Sequence, residues 1–71
     1  MGKLEIIKER IRTAITQSEL NQSEIAKLIS VSQSCVAHYL KGDIVPAIDT
    51  FATLCEVLNE DANYLLGIID K

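Results

Sequence analysis

The sequence predicts an all-α fold in which five short helices surround one small core. Three observations support this. Apolar residues recur at three- and four-residue steps, residues that can cap helices stand where this periodicity starts and stops, and no segment alternates as a β-strand does. A chain of 71 residues, 48% of them hydrophobic, is long enough for one domain, which we expect to span residues 1–71.

Two amphipathic segments open the chain. The first runs from about Leu4 to Ser18, and the second begins at Gln22 behind Asn21, which can form a capping box with Glu24. We expect their apolar positions to form the buried faces of two helices. These positions are Leu4, Ile7, Ile11, Ala14 and Ile15 in the first segment and Ile25, Ala26, Leu28 and Ile29 in the second.

The third helix is predicted from Gln33 to about Lys41, because Ser32 can cap its start and Gly42 suits its end. At about 100° per residue, its apolar side chains gather on one side and its small or polar ones on the other. The first side comprises Val36, Tyr39 and Leu40, and the second comprises Ser34, Ala37, His38 and Lys41, with Gln33 and Cys35 at its flanks. A short helix of this kind has the shape that enters the major groove of DNA.

Two further helices complete the chain. After a loop that contains Pro46, the fourth helix is predicted from Ile48 to Leu58, and Asn59 suits a left-handed end. Asp61 can cap the last helix, which covers residues 62–66. The fourth helix is expected to point Ile48, Phe51, Ala52, Leu54, Cys55 and Leu58 inward.

Charge is divided unevenly along the chain. The net charge is −3, yet residues 1–42 carry six Lys or Arg against four Asp or Glu, a net +2, whereas residues 43–71 carry one against six, a net −5. This asymmetry indicates that the first half meets an anionic partner. No run approaches the roughly 20 apolar residues of a membrane span, and charges interrupt the N-terminus where a secretion signal is apolar, so we expect a cytoplasmic protein.

The segment NQSEIAKLISVSQSCVAHYLKG, residues 21–42, resembles the helix-turn-helix of the lambda-repressor/Cro-like family of bacterial and phage DNA-binding regulators. Gln22 opens the second helix, Ala26 is small where the two helices cross, and Val36 is the core residue of the third helix. The resemblance continues through Pro46, the IDTFATLCEVL helix and the closing NYLLG. It implies a compact five-helix domain of that family, with the helix-turn-helix at about residues 22–41.

Several positions depart from the family pattern. Ser30 stands where glycine is frequent, because the turn favours a left-handed conformation. Ile15 and Leu40 stand where many members have an arginine and a glutamate that pair, which we interpret as a hydrophobic replacement of that pair. Ala47 replaces a frequent serine cap, so the fourth helix is expected to start more weakly.

The resemblance implies that the open side of the third helix reads DNA. A glutamine amide can bond adenine N6 and N7, and the N–H groups at the start of the second helix suit a phosphate oxygen. The predicted base contacts are Gln33, Ser34, Ala37 and His38, and the predicted phosphate contacts are Gln22, Lys27, Ser32 and Lys41. For Gln33 and Ser34 the alternative is a solvated helix start, and His38 is equally well interpreted as an exposed histidine without a partner.

Cys35 and His38 are three residues apart, which raises the question of metal binding or nucleophilic catalysis. A structural zinc site takes four ligands, and the chain offers one histidine and two cysteines. A cysteine hydrolase needs an orienting group and an oxyanion site that no motif signals. The sequence therefore predicts no catalytic residue, no metal site and no cofactor, and it predicts that Cys55 is a core residue.

The C-terminal segment YLLGIID is apolar for a chain end. Its apolar side chains exceed what a short helix can bury, so we expect a dimer interface formed by Tyr64, Leu66, Ile68 and Ile69. The alternative is a tail that lies over its own domain.

Together these features predict a transcriptional regulator or repressor that binds an inverted-repeat operator in double-stranded DNA as a homodimer. The alternative is a protein-interaction module, such as an antitoxin or antirepressor, with weak or no DNA binding.

Overall fold

Five helices follow one another in the computed structural model, which describes residues 2–70; Met1 and Lys71 of the predicted domain lie outside the described residues. They are α1 (Lys3–Gln17), α2 (Gln22–Ile29), α3 (Gln33–Lys41), α4 (Ile48–Leu58) and α5 (Ala62–Leu65). No strand occurs between residues 2 and 70, so the predicted all-α class is confirmed. The helix bounds agree with the predicted ones to within one residue.

Short side chains fix three of the helix starts. The Asn21 side chain accepts the Glu24 N–H at 2.8 Å, and the Glu24 carboxylate accepts the Asn21 N–H at 2.9 Å, which completes the capping box of α2. The Ser32 hydroxyl accepts the Cys35 N–H at 3.1 Å. Asp61 caps α5 in a similar way, whereas Ala47 offers α4 no side-chain cap.

Left-handed residues end the three middle helices. Ser30 (φ 61°), Gly42 (φ 82°) and Asn59 (φ 54°) follow α2, α3 and α4 respectively. Glu19 also has a positive φ, of 68°, in the turn between α1 and α2. Because a side chain disfavours this conformation, Glu19 and Ser30 hold some strain.

The core lies where α2 packs on α3 and α4 while α1 packs on α3 and α5. It is aliphatic except for two aromatic rings and one thiol. Its buried members are Ile11, Ala14, Ile15, Ile25, Ala26, Ile29, Val36, Tyr39, Phe51, Leu54, Cys55 and Leu65. Among residues 2–70, no helix has the length and apolar character that crossing a membrane requires.

Four residues predicted to point inward are exposed, so those predictions were wrong. Leu28 (53% exposed) and Ala52 lie roughly 100° around their helices from the buried stripe, at an angle that faces solvent. Ile48, the first residue of α4, is 84% exposed. Leu4 follows the apolar stripe of α1 but is 48% exposed in the first turn of that helix.

Candidate nucleic-acid interface

The turn between α2 and α3 is built around Ser30. With Ser30 in the left-handed conformation, its N–H reaches the Lys27 carbonyl at 3.4 Å and the next N–H, of Val31, reaches the Ala26 carbonyl at 3.0 Å. These bonds satisfy the carbonyls that the end of α2 would otherwise leave unpaired. Ser32 then starts α3 at once, so the two helices are joined by a turn of three residues.

One edge of α3 is anchored in the core. Val36 is fully buried, Tyr39 is nearly so, and Leu40 packs partly against the same cluster. Burial raises the pKa of the Tyr39 hydroxyl far above its ordinary value of 10.0, with a smaller contribution from its hydrogen bond to Cys35. This edge fixes the rotation of α3, and therefore fixes which residues face outward.

The predicted base-contact residues lie on the open side of α3. Gln33 and Ser34 are exposed in its first turn, His38 is exposed one turn further on, and Ala37 is half-buried beside them. The Ser34 hydroxyl lies 3.2 Å from the hydroxyl of Ser32, which is itself exposed. The structure thus places these small or polar side chains together on one accessible strip of the helix.

The predicted phosphate-contact residues flank this strip. Gln22 is half-buried at the first position of α2, and Lys27 is exposed in the last turn of that helix. Lys41 is exposed at the end of α3, beside an open hollow of about 320 Å³. The hollow is lined by Glu5, Lys8, Glu9, Arg12, Lys41 and Gly42.

Arg12 joins α1 to the end of α3. Its Nε donates to the Leu40 carbonyl at 2.9 Å, where the helix dipole favours a positive charge. No sequence signal pointed to this contact, because the two residues are 28 positions apart. As a result, Lys8 and Arg12 of α1 add positive charge next to Lys41, in a hollow that Glu5 and Glu9 also line.

His38 has a partner within the chain that its sequence pattern did not reveal. Its Nδ1 lies 2.9 Å from a carboxylate oxygen of Asp43. The two side chains are about half exposed. His38 is therefore held in one orientation on the open side of α3.

The two cysteines differ in environment. Cys35 is half-buried and packs partly against the core cluster, four residues before Tyr39 on α3. Cys55 is buried, as predicted. Burial raises the pKa of the Cys55 thiol, and the nearby carboxylates of Glu60 and Asp61 raise it further. Within residues 2–70, no group of three or more His, Cys, Asp or Glu side chains could hold a metal ion.

The C-terminal segment is fastened to α1 by Arg10. One guanidinium nitrogen donates to the carbonyls of Tyr64, at 2.6 Å, and Ile69, at 2.8 Å. The guanidinium also lies 4.2 Å from the centre of the Tyr64 ring and 3.4 Å from a carboxylate oxygen of Asp70. Tyr64 is half-buried, and Ile69 remains 41% exposed.

The other two residues of the predicted dimer interface are placed differently. Leu66 is half-buried and lines a groove of about 140 Å³, whereas Ile68 is 63% exposed. The groove lies between α1, α4 and the loop before α4. Its lining is Ile7, Ile11, Val45, Pro46, Ile48, Phe51 and Leu66.

Residues 8–69 match the family model of the helix-turn-helix domain, and the chain belongs to that family. The match covers all of α2 to α5 and most of α1, which agrees with the resemblance to lambda-repressor/Cro-like domains. Neither a curated protein nor a solved structure matches the chain. Helix-turn-helix domains bind DNA, and DNA binding with a regulatory role in transcription follows for this class of protein.

Proposed function

We propose that this protein is a cytoplasmic transcriptional repressor that occupies an inverted-repeat operator as a homodimer. The observation that carries the proposal is the open side of α3. Its anchored edge is buried, while Gln33, Ser34 and His38 remain exposed on the opposite side. A helix held in this way can enter the major groove with its small polar residues against the base edges.

Each exposed residue of α3 has a matching role at a base edge. The Gln33 amide can bond adenine N6 and N7 at once, and the Ser34 hydroxyl can donate or accept. Ala37 adds a methyl group that fits against a thymine methyl, and His38 reaches the next base step. Large side chains at these positions would hold the helix away from the bases.

The residues that flank the strip are suited to phosphates. Gln22 and the free N–H groups at the start of α2 can bind one phosphate oxygen. Ser32, Lys27 and Lys41 can contact the backbone on either side and so fix the register of α3. None of these contacts depends on base sequence, so they would support both specific and non-specific binding.

The salt dependence of binding follows from the charge distribution. The second half of the chain carries a net −5, and only Lys27 and Lys41 among the proposed phosphate contacts are cationic. We therefore expect a shallow dependence of log K on log salt concentration, with about two counterions released per subunit. A slope of about −10, which is characteristic of the lac repressor, would contradict this proposal.

Dimerisation would use the C-terminal segment together with the neighbouring groove. Ile68 and Ile69 are exposed, Leu66 lines the groove, and Ile48 projects from its rim. Exposed apolar side chains beside an apolar groove are typical of an interface. Two copies joined there would present two α3 helices to one face of DNA, about 34 Å apart.

Substitutions on the apolar surface test the dimer. Ile48→Asp and Ile68→Asp should each produce a monomer in analytical ultracentrifugation and weaken binding to an inverted repeat. Leu28→Asp is the matched control for sedimentation, because Leu28 is also an exposed apolar residue but lies on α2, outside this surface. If the wild-type protein sedimented with only one copy bound to the operator, the proposed dimer would be wrong.

A second candidate function is a protein-interaction module, such as an antitoxin or antirepressor. The groove beside Ile48 favours it, since an apolar peptide could occupy the same surface. The double variant Gln33→Ala/Ser34→Ala separates the two candidates. If the protein is a repressor, this variant loses operator binding by at least about tenfold while its fold and its dimer remain.

The matched control is Thr13→Ala/Gln17→Ala, which removes two exposed polar side chains from α1. It should bind the operator as the wild type does. Binding would be measured by fluorescence anisotropy, on a duplex enriched from a random library. If the Gln33/Ser34 variant bound this duplex as tightly as the control, the proposed reading helix would be wrong.

A further inference from the structure

The backbone after α3 fixes the position of Asp43 relative to His38. Gly42 adopts φ 82°, and its N–H bonds to the Tyr39 carbonyl at 3.2 Å. The Asp43 N–H then bonds to the carbonyl of His38 itself, at 3.1 Å. These two bonds form a Schellman motif, which returns residue 43 to the side of residue 38.

This geometry explains the contact between the two side chains. The Asp43 carboxylate lies 2.9 Å from Nδ1 of His38 because its own backbone is bonded to that residue. Replacing the Asp43 side chain would leave the backbone bonds in place. The side-chain contact can therefore be removed without removing the motif that ends α3.

The contact determines where the imidazole carries its proton. An ionised carboxylate can only accept hydrogen bonds, so Nδ1 of His38 must hold the hydrogen. In the neutral ring, Nε2 then has a free lone pair and acts as an acceptor. No residue from 2 to 70 bonds to Nε2, so this acceptor is available on the open side of α3.

An acceptor in the major groove discriminates among bases. Adenine N6 and cytosine N4 carry amino hydrogens that Nε2 can accept, whereas guanine presents O6 and N7, which are themselves acceptors. We propose that Asp43 is a positioning residue that fixes the tautomer of His38, so that the ring selects adenine or cytosine at its base step. The inference rests on the proposed binding of α3 in the major groove.

The tautomer is tested first, in the free protein. Nitrogen-15 chemical shifts of the ring would be recorded at a pH high enough for imidazole titration to be complete. The wild type should show a protonated Nδ1 and an unprotonated Nε2, and Asp43→Ala should lose this preference. Glu56→Ala is the matched control, because it removes an exposed carboxylate from α4 and should keep the wild-type pattern. A wild type with its hydrogen on Nε2, or an unchanged pattern in Asp43→Ala, would overturn the inference.

Base selection is tested second, with operators that differ at one base pair. The wild type should favour adenine or cytosine over guanine at the His38 step by roughly threefold to tenfold, the range expected from one net hydrogen bond. Asp43→Ala and His38→Ala should reduce this preference, and Glu56→Ala should retain it. Preference for guanine, or a preference that survives Asp43→Ala, would overturn the inference while leaving the repressor proposal intact. If the wild type bound no duplex at all, both the base selection by His38 and the repressor proposal would be overturned, whichever ring nitrogen carries the hydrogen.

Discussion

Arg10 provides the most demanding test of how the chain end is held. Its guanidinium is the only group among the described residues that bonds at once to the Tyr64 carbonyl, the Ile69 carbonyl and the Asp70 carboxylate. Its side chain is 19% exposed, so these bonds are partly shielded from water. The variant Arg10→Ala removes all of them together with the contact to the Tyr64 ring.

The expected loss can be worked from these contacts. A hydrogen bond from a charged donor contributes about 1.5–3 kcal/mol net, and a surface cation–π contact about 0.5–1 kcal/mol. The contributions are not additive, because water can replace the guanidinium at carbonyls near the surface. We therefore expect Arg10→Ala to lower the free energy of unfolding by about 2–3 kcal/mol, which for a chain of this size lowers Tm by roughly 10–20 °C.

Urea denaturation followed by circular dichroism measures the loss. Hydrogen exchange shows where stability is lost. The Ile68 and Ile69 amides both bond to the Asn63 carbonyl, and they should exchange faster in Arg10→Ala than in the wild type. Asp70→Asn is the control, because that carboxylate is fully exposed, and the urea midpoint should not change. An unchanged midpoint in Arg10→Ala, with unchanged protection of both amides, would refute the role given to Arg10.

Three further predictions concern the fold. Ser30→Gly should stabilise the protein by about 1 kcal/mol, because glycine accepts the left-handed turn without strain; a lower urea midpoint would contradict this. Leu54→Ala should lower the free energy of unfolding by about 2–5 kcal/mol because Leu54 is fully buried. Leu28→Ala should change the free energy of unfolding by less than about 0.5 kcal/mol because Leu28 is exposed. Equal losses in urea denaturation would show that the core is misassigned. Because its pKa is raised, the Cys55 thiol keeps its proton in the folded state at pH values above 9.0, where the thiol of the unfolded chain loses it. The free energy of unfolding should therefore fall as pH rises beyond about 9. The raised pKa of Tyr39 should make the free energy of unfolding fall further at still higher pH. The urea midpoint should decrease less with rising pH in Cys55→Ala than in the wild type. If it decreased equally in both proteins, the thiol of Cys55 would not be buried as described.

The helix bounds could be predicted because they depend on neighbouring residues. Asn21, Ser32 and Asp61 each cap a helix through an N–H two or three positions further on, so the signal lies within a few letters of sequence. The left-handed ends at Gly42 and Asn59 follow from residue types that tolerate this conformation. The anchored edge of α3 could also be predicted, since helical spacing alone places its apolar residues on one side.

Other features depend on contacts that spacing does not encode. The bonds from Arg10 to the C-terminal segment span 54 and 59 residues, and nothing in either segment signals the other. Ile48 has the right residue type for the core, yet it is 84% exposed at the first position of α4. The positive φ of Glu19 lies at a residue type that rarely adopts it, so only the structure reveals that turn.

The contact between His38 and Asp43 falls between these two cases. The residues are five positions apart, and a glycine between them suited to a helix end makes their approach possible. Helical spacing placed His38 on the open side of α3 but gave it no partner. A search for acidic residues directly after a helix-ending glycine would have found Asp43.

Selection of binding sites from a random library of duplex DNA would show whether α3 reads base sequence as one half of a symmetric dimer. We expect enrichment of an inverted repeat with half-sites about one helical turn apart, since two-fold symmetry of the protein imposes two-fold symmetry on the site. The Gln33→Ala/Ser34→Ala variant should lose that enrichment, whereas Thr13→Ala/Gln17→Ala should keep it. Absence of any enriched sequence at moderate salt, with the protein folded, would contradict a sequence-reading role for α3.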